Sequence, residues 1–169
     1  MMLHIGGTTA GSKLLSELDN KSIQPNAVDL RLKRVFALRC STFILDEEQK
    51  VHRESIEYLP KDGWWTLFPG AYEVTLGDTV SIADGEAGFV IPRSTLNRNG
   101  VFITSGLYDS GYTGTMAACM HVTTDIFKVK YDTRVAQFIL FKAETLKLYD
   151  GSYGLKDGQP KPDEEKYHK

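Results

Sequence analysis

Short apolar runs with a period of two, cut by glycine-bearing turns, fill most of this chain and leave little room for helix. Val28, Leu30 and Leu32 alternate with Asp29 and Arg31, and Tyr72, Val74 and Leu76 repeat the pattern. Trp65 and Leu67 run into Pro69-Gly70, and further apolar runs follow at AGFVI, VFI, TMAACMHV, FKV and VAQFILF. Gly85, Gly88, Gly100, Gly106, Gly111 and Gly114 punctuate them. Successive side chains of a strand point to opposite faces, so this rhythm marks strands joined by tight turns. A parallel sheet would need a helix between most strands, and the chain offers too few helical segments. The expected fold is mainly β, a sandwich or barrel. One short N-terminal helix is expected over residues 12–18, SKLLSEL. Ser12 can cap it, Leu14, Leu15 and Leu18 share helical spacing, and Asp19, Asn20 and Pro25 stop it.

The 169 residues suffice for one sizeable core and hardly for two. No domain boundary or internal repeat interrupts them. Residues 33–63 contain VFAL and STFIL, which can add strand, and a polar stretch that reads as a long loop or a flexible insertion. The final DGQPKPDEEKYHK is polar, carries two prolines and reads as a tail. Twenty Lys and Arg stand against 22 Asp and Glu, a net charge of −2. That balance argues against a broad face for coating a nucleic-acid polymer, yet it leaves room for a small basic pocket. No apolar run approaches the roughly 20 residues of a membrane span. The opening MMLHIGGTTAGSK lacks the basic and apolar regions of a signal peptide. Cys40 and Cys119 allow one disulfide but define neither a disulfide scaffold nor a metal cluster. The expectation is a reduced, cytoplasmic domain with no membrane and no nucleic-acid polymer among its partners.

Polar residues concentrate between Pro92 and Gly114, in PRSTLNRNGVFITSGLYDSGYTG. They make either a series of solvated turns or a site. As a site, Arg93 and Arg98 would neutralise phosphate oxygens, for which the forked guanidinium is well shaped. Ser94 would add a hydroxyl donor, and turn amides would form an anion-binding nest. Asp109 either caps its turn or orients a water or sugar hydroxyl, since an ionised carboxylate can align water for phosphoryl attack. Tyr112 either packs on the core or lies beneath a sugar. Arg134 and Gln137 share the strand RVAQFILF, where they form an exposed polar edge or meet the Arg93 loop. His4, His52, His121 and His168 read as packed or solvated, Glu47, Glu48, Asp62 and Glu73 as surface carboxylates, and Trp64-Trp65 as core or interface. No HxH, CxxC or HExxH arrangement supports a protein-held zinc, and the GxxxxGKS phosphate loop is absent. A triphosphate substrate would instead bring Mg²⁺ on its own oxygens.

Taken together, IQPNAVDLRL at residues 23–32, LFPGAYEVTLGDTVSI, PRSTLNRNG, GLYDSGYTG and RVAQFI resemble the deoxyuridine triphosphatase and deoxycytidine triphosphate deaminase superfamily. The first segment is especially similar to the deaminase branch, and the resemblance runs from about residue 12 to about residue 158. It implies a distorted jelly roll, a dUTPase-like β-clip, over 1–150, with 151–169 as a flexible C-terminal arm that closes over ligand. It further implies a homotrimer with inter-subunit sites for a deoxynucleoside triphosphate. On that resemblance Arg93, Ser94 and Gln137 contact phosphate, and Asp109 orients deoxyribose and the attacking water. Tyr112 forms the platform that favours deoxyribose. Asp29 supports the pocket and helps place metal-bound solvent, while Tyr153 and Lys156 in the arm cover base or sugar and meet phosphate.

Two departures from the superfamily pattern bear on function. Deaminases carry a proton-transferring Glu ten residues after the motif aspartate, and here that place is Cys119. A thiol is no ready substitute for a carboxylate, which disfavours cytosine deamination. The segment GVFITSGLYD is shorter than the usual base-recognising hairpin, with Thr104 and Ser105 as replacements for lost polar contacts. The leading expectation is a Mg-dependent pyrophosphohydrolase converting dUTP to dUMP and pyrophosphate. A dCTP deaminase supported by IQPNAVDLRL and Arg98, or a noncatalytic nucleotide-binding regulator, are the alternatives.

Overall fold

The computed structural model describes residues 1–16, 18–38 and 41–161. In chain order the strands begin with β1 (Met2–Leu3), β2 (Lys13–Leu14), β3 (Val28–Arg31), β4 (Arg34–Leu38), β5 (Ile44–Leu45) and β6 (Lys50–Val51). There follow β7 (Ser55–Glu57), β8 (Trp64–Leu67), the long β9 (Gly70–Ser81) and β10 (Glu86–Pro92). A single described helix, α1 (Ser94–Arg98), precedes β11 (Val101–Thr104), β12 (Thr113–Val122), β13 (Phe127–Lys130) and β14 (Arg134–Lys142). The described chain ends in β15 (Leu155–Lys156) and β16 (Gln159–Pro160).

Every pairing is antiparallel, as the scarcity of helical connections requires. One sheet is organised on β14, which takes β10 along one edge and β3 followed by β1 along the other. The larger sheet is organised on β9, with β12 on one edge, β4 and β2 on the other, and β11 and β7 outermost. β8–β13, β5–β6 and β15–β16 form small two-stranded sheets. The core holds Trp65, Phe36, Phe138, Leu30, Leu76, Met116 and Met120, all fully buried. Along β12 burial alternates strictly, with Met116, Ala118 and Met120 inward and Thr115, Ala117 and Cys119 on the other face.

The N-terminal helix expected over residues 12–18 is not where the described chain turns helical. Lys13 and Leu14 instead pair with Ser81 and Val80, and the Leu15 amide donates to Thr79 O at 2.9 Å. The twelve-residue β9 extends past β4, and its spare backbone groups outcompete an isolated helix too short to be stable alone. The Ser12 hydroxyl donates to Glu86 and caps nothing helical, while Leu15 is exposed. The helix lies at Ser94–Arg98, inside the segment that reads as turns. The polar stretch after Leu38 also acquires structure: β7 returns to pair with β4, and Trp65 Nε1 donates to Tyr58 O at 2.5 Å. Of the expected C-terminal arm, residues 162–169 and Cys40 of the cysteine pair lie outside the described residues. Among the described residues no helix is long and apolar enough to cross a membrane.

Candidate functional site

The outward face of β12, Thr115, Ala117 and Cys119, lines a cleft of about 460 Å³. The chain leaving β11, Thr104 through Tyr108, lines it too, with Tyr112, Tyr149 and Tyr153 supplying aromatic rings and Arg53 and Glu73 the charge. Tyr112 is fixed from three sides. Its hydroxyl donates to Thr115 O at 3.1 Å, and its ring centroid lies 5.4 Å from those of both Tyr108 and Tyr149. The Tyr112 amide closes the turn on Asp109 O at 3.0 Å, and Gly111 takes a φ of +85° that favours glycine. Gly114 is required by the ring itself, since a Cβ there would stand 2.4 Å from the Tyr112 hydroxyl.

Asp109 is exposed on this turn and lines a second cavity of about 670 Å³ with Ser110 and residues 143–151. Leu107 and Tyr149 line both cavities, so the carboxylate and the Tyr112 ring border adjoining spaces. The strap that walls the second cavity is pinned to the turn: Tyr149 N donates to Ser110 O at 2.8 Å, and the Ser110 and Thr145 hydroxyls are 2.7 Å apart.

A third group gathers on β3 and β14. The Asp29 carboxylate, 1% exposed, meets Arg93 Nε at 3.1 Å and Arg134 Nη1 at 3.2 Å through one oxygen. Its other oxygen accepts from Gln137 Nε2 at 3.0 Å. The expected meeting of the Arg93 loop with the RVAQFILF strand therefore occurs, and Asp29 is its centre. Burial of the carboxylate demands these partners. Both Asp29 oxygens have partners in this chain, and the residue anchors two guanidinium groups. Gln137 gives one N–H of its amide to Asp29. Ser94 and Arg98 are exposed on α1. Neither they nor Arg93 and Gln137 line the Tyr112 cleft of the same chain.

The remaining expected residues divide. Tyr153 lines the cleft, whereas Lys156, exposed on β15, does not. Thr104 and Ser105 line it, but their hydroxyls are engaged. Thr104 Oγ1 lies 3.1 Å from His121 Nε2, and Ser105 Oγ accepts from Val90 N at 2.9 Å and donates to Gly106 O at 2.8 Å. Cys119 faces the cleft, and burial pushes its thiol pKa up against the opposing pull of Arg53. The place of the deaminase carboxylate thus holds a protonated thiol at neutral pH. Among the described residues no three His, Cys, Asp or Glu side chains gather as a metal-ligand set.

Sequence reasoning missed Arg53, Glu73 and Tyr149. Glu73 reads as a surface carboxylate because it alternates with Tyr72 and Val74, yet it is 4% exposed. Its burial is compensated by Arg53, whose Nη2 lies 3.2 Å from Glu73 Oε2, a partner twenty residues away that no spacing rule selects.

A family model described as dCTP deaminase-like matches residues 8–143. The chain is 34% identical over 137 residues to a probable deoxyuridine 5'-triphosphate nucleotidohydrolase of Aeropyrum pernix, covering 79% of this chain and 86% of the relative. It is 30% identical over 151 residues to the deoxyuridine 5'-triphosphate nucleotidohydrolase of Methanocaldococcus jannaschii, covering 87% and 96%. Among solved structures, the 2'-deoxycytidine 5'-triphosphate deaminase of Agrobacterium tumefaciens superposes with a TM-score of 0.60 at 20% identity, over 78% of this chain and 43% of that one. The dUTPase of Staphylococcus bacteriophage 80alpha superposes with a TM-score of 0.53 at 14% identity, over 89% of this chain and all of that one. These likenesses establish the expected β-clip jelly roll as the fold.

Proposed function

The chain belongs to the dCTP deaminase-like family, and from that membership we propose that it is a deoxynucleoside triphosphate pyrophosphohydrolase, with dUTP as substrate and dUMP and pyrophosphate as products. One observation carries the reading. The Asp109–Tyr112 turn sets a solvent-facing carboxylate beside a cleft walled by a fixed aromatic ring, within a chain whose extended relatives are named for dUTP hydrolysis. Deoxyribose would rest on Tyr112, where the hydroxyl already tied to Thr115 O leaves a close-fitting platform. Asp109 would accept a proton from water and aim that water at the α-phosphorus.

Mg²⁺ enters on the triphosphate as part of the substrate, and its charge lowers the cost of the developing pyrophosphate. Arg93, Ser94 and Arg98 would hold the phosphates, with Asp29 and Gln137 fixing the Arg93 guanidinium from behind. Because these groups do not line the cleft of their own chain, a homotrimer in which a neighbour supplies them completes the site. Tyr153 would cover the ligand and Lys156 would reach phosphate as the segment 151–169 closes, an ordering whose entropy cost ligand contacts offset.

Purified protein challenged with dUTP, dCTP, dTTP and dATP plus Mg²⁺ should release pyrophosphate from dUTP without ammonia. Asp109→Asn should lower kcat about 100-fold or more while leaving dUMP affinity within a few-fold. Undiminished turnover in that variant would remove Asp109 from the mechanism, and ammonia from dCTP at the rate of nucleotide consumption would replace the hydrolase by a deaminase.

A further inference from the structure

We propose that Arg53 and Glu73 form the base-reading wall of the cleft and select a uracil-type edge, one in which a ring N–H stands beside a carbonyl. The proposal rests on the nucleotide reading above and goes beyond it by naming what recognises the base. Arg53 and Glu73 are the only charged side chains among the described residues that line the cleft. Their ion pair is largely withdrawn from water, with side-chain exposures of 20% and 5%. A buried ion pair commonly contributes less to stability than an apolar pair of the same volume, so its presence at a cavity wall points to a ligand rather than to folding. The hydroxyls that the shortened hairpin was expected to offer are committed to His121, Val90 and Gly106, and the ion pair is the source of charge-assisted recognition on the other wall.

Position along β12 sets the direction of the ligand. The Tyr112 hydroxyl marks Thr115, whereas Glu73 stands opposite Cys119 in register. Four residues of extended strand separate these marks by about 13 Å, enough to lay a sugar and a pyrimidine ring end to end. Ala117 between them leaves a low floor. Glu73 neutralises Arg53, so this end offers a triphosphate no net attraction; the phosphates leave from the Tyr112 end and the base comes to Glu73. There Glu73 accepts from the imide N–H and Arg53, joined to the same carboxylate, donates to the adjacent carbonyl. Cytosine in that register would set a ring-nitrogen lone pair against the carboxylate and an amino group against the guanidinium, two repulsive contacts. Arg53 comes from the polar insertion between β6 and β7, which is held to the C-terminal segment. Lys50 Nζ donates to Ser152 Oγ at 3.1 Å, and the His52 ring meets Tyr153 edge-on at 6.1 Å.

The test compares the wild-type protein with Glu73→Gln and Arg53→Lys, using pyrophosphate release from dUTP and dCTP and calorimetric binding of dUMP and dCMP. The uracil-over-cytosine ratio should fall about 10- to 100-fold in Glu73→Gln, the span of one charge-assisted hydrogen bond, and by a smaller factor in Arg53→Lys. Arg53→Lys carries the test alone if the Gln variant fails to fold. A ratio within about twofold of wild type in folded variants overturns the proposal while leaving hydrolysis intact. Selective dUMP binding that Glu73→Gln abolishes, with no pyrophosphate released by the wild type, supports base reading and removes the hydrolase. Ammonia release from dCTP that disappears in Glu73→Gln assigns the carboxylate to proton transfer and overturns its role as a reader of uracil.

Discussion

Glu86 shows how a single buried carboxylate can tie distant segments together. Its oxygens accept from Gly11 N at 2.8 Å, Ser12 N at 2.9 Å and Ser12 Oγ at 2.5 Å, and its backbone carbonyl accepts from Ser110 Oγ at 2.6 Å. Desolvation, the largest influence, pushes its pKa up. The Ser12 hydroxyl, the Gly11 and Ser12 amides and the Lys142 charge together outweigh it and hold the carboxyl below its ordinary value. A carboxyl held below its unfolded pKa stabilises the fold above that unfolded value, near 4.3 for glutamate, and the stabilisation is lost as pH falls through the folded pKa. Glu86→Gln should therefore cost about 1–3 kcal/mol at pH 7 in urea denaturation. The difference between wild type and variant should shrink as the acid limb is descended; a constant difference down to strongly acidic pH would contradict this assignment. Asp29 also joins segments remote in the chain, a nearly inaccessible carboxylate that gathers Arg93, Arg134 and Gln137.

At the scale of elements, the two organising strands transmit packing to the cleft. β10 and β14 run side by side through seven register pairs, with Gly88 opposite Leu140. A Cβ on Gly88 would stand 2.3 Å from Phe138 Cζ and 2.7 Å from Ile139 O, so the glycine is demanded by close approach rather than by its φ. Gly88 also exchanges two backbone hydrogen bonds with Tyr108, at 3.0 and 2.8 Å, and Tyr108 carries its hydroxyl to Ala117 O in the cleft floor. Gly88→Ala should destabilise the protein by about 1–3 kcal/mol through overpacking, read as a lower urea midpoint. Weaker dUMP binding should accompany it because the Tyr108 wall moves; unchanged stability would mean that β10 slides freely against Phe138. Register shifts interrupt β12 between Thr115 and Ala117 and β14 between Arg134 and Ala136, beside the cleft and the Asp29 cluster respectively. Bulges of this kind re-aim side chains at the edge of a site.

For the whole molecule, the separation between the Tyr112 cleft and the exposed Arg98 of α1 has a direct consequence. If neighbouring chains complete each site, Asp109→Asn and Arg98→Ala variants should each hydrolyse dUTP poorly yet regain measurable pyrophosphate release when unfolded and refolded together. Light scattering should report three chains. A mixture no more active than the sum of its parts would place both groups in one chain's site. The strands were legible in the sequence because apolar and polar residues alternate through Val28 to Leu32 and Tyr72 to Leu76, although Asp29 and Glu73 in the polar places are buried; in β12 burial alternates. The family was legible only through the resemblance of the ordered motif segments to a known superfamily. The short helix was misplaced because SKLLSEL meets a long, unsatisfied edge of β9 that spacing does not reveal. Arg53 and Glu73 were invisible for a related reason: a buried charge is chosen by its partner in space, and these partners are twenty residues apart. The sequence by itself determined an antiparallel β chain and the turn that carries Asp109 and Tyr112, since both follow from local periodicity and local turn chemistry. Only the tertiary structure decided which carboxylates are buried, which hydroxyls are already engaged and which charges share a cleft, because those depend on desolvation and on distances between strands remote in the chain.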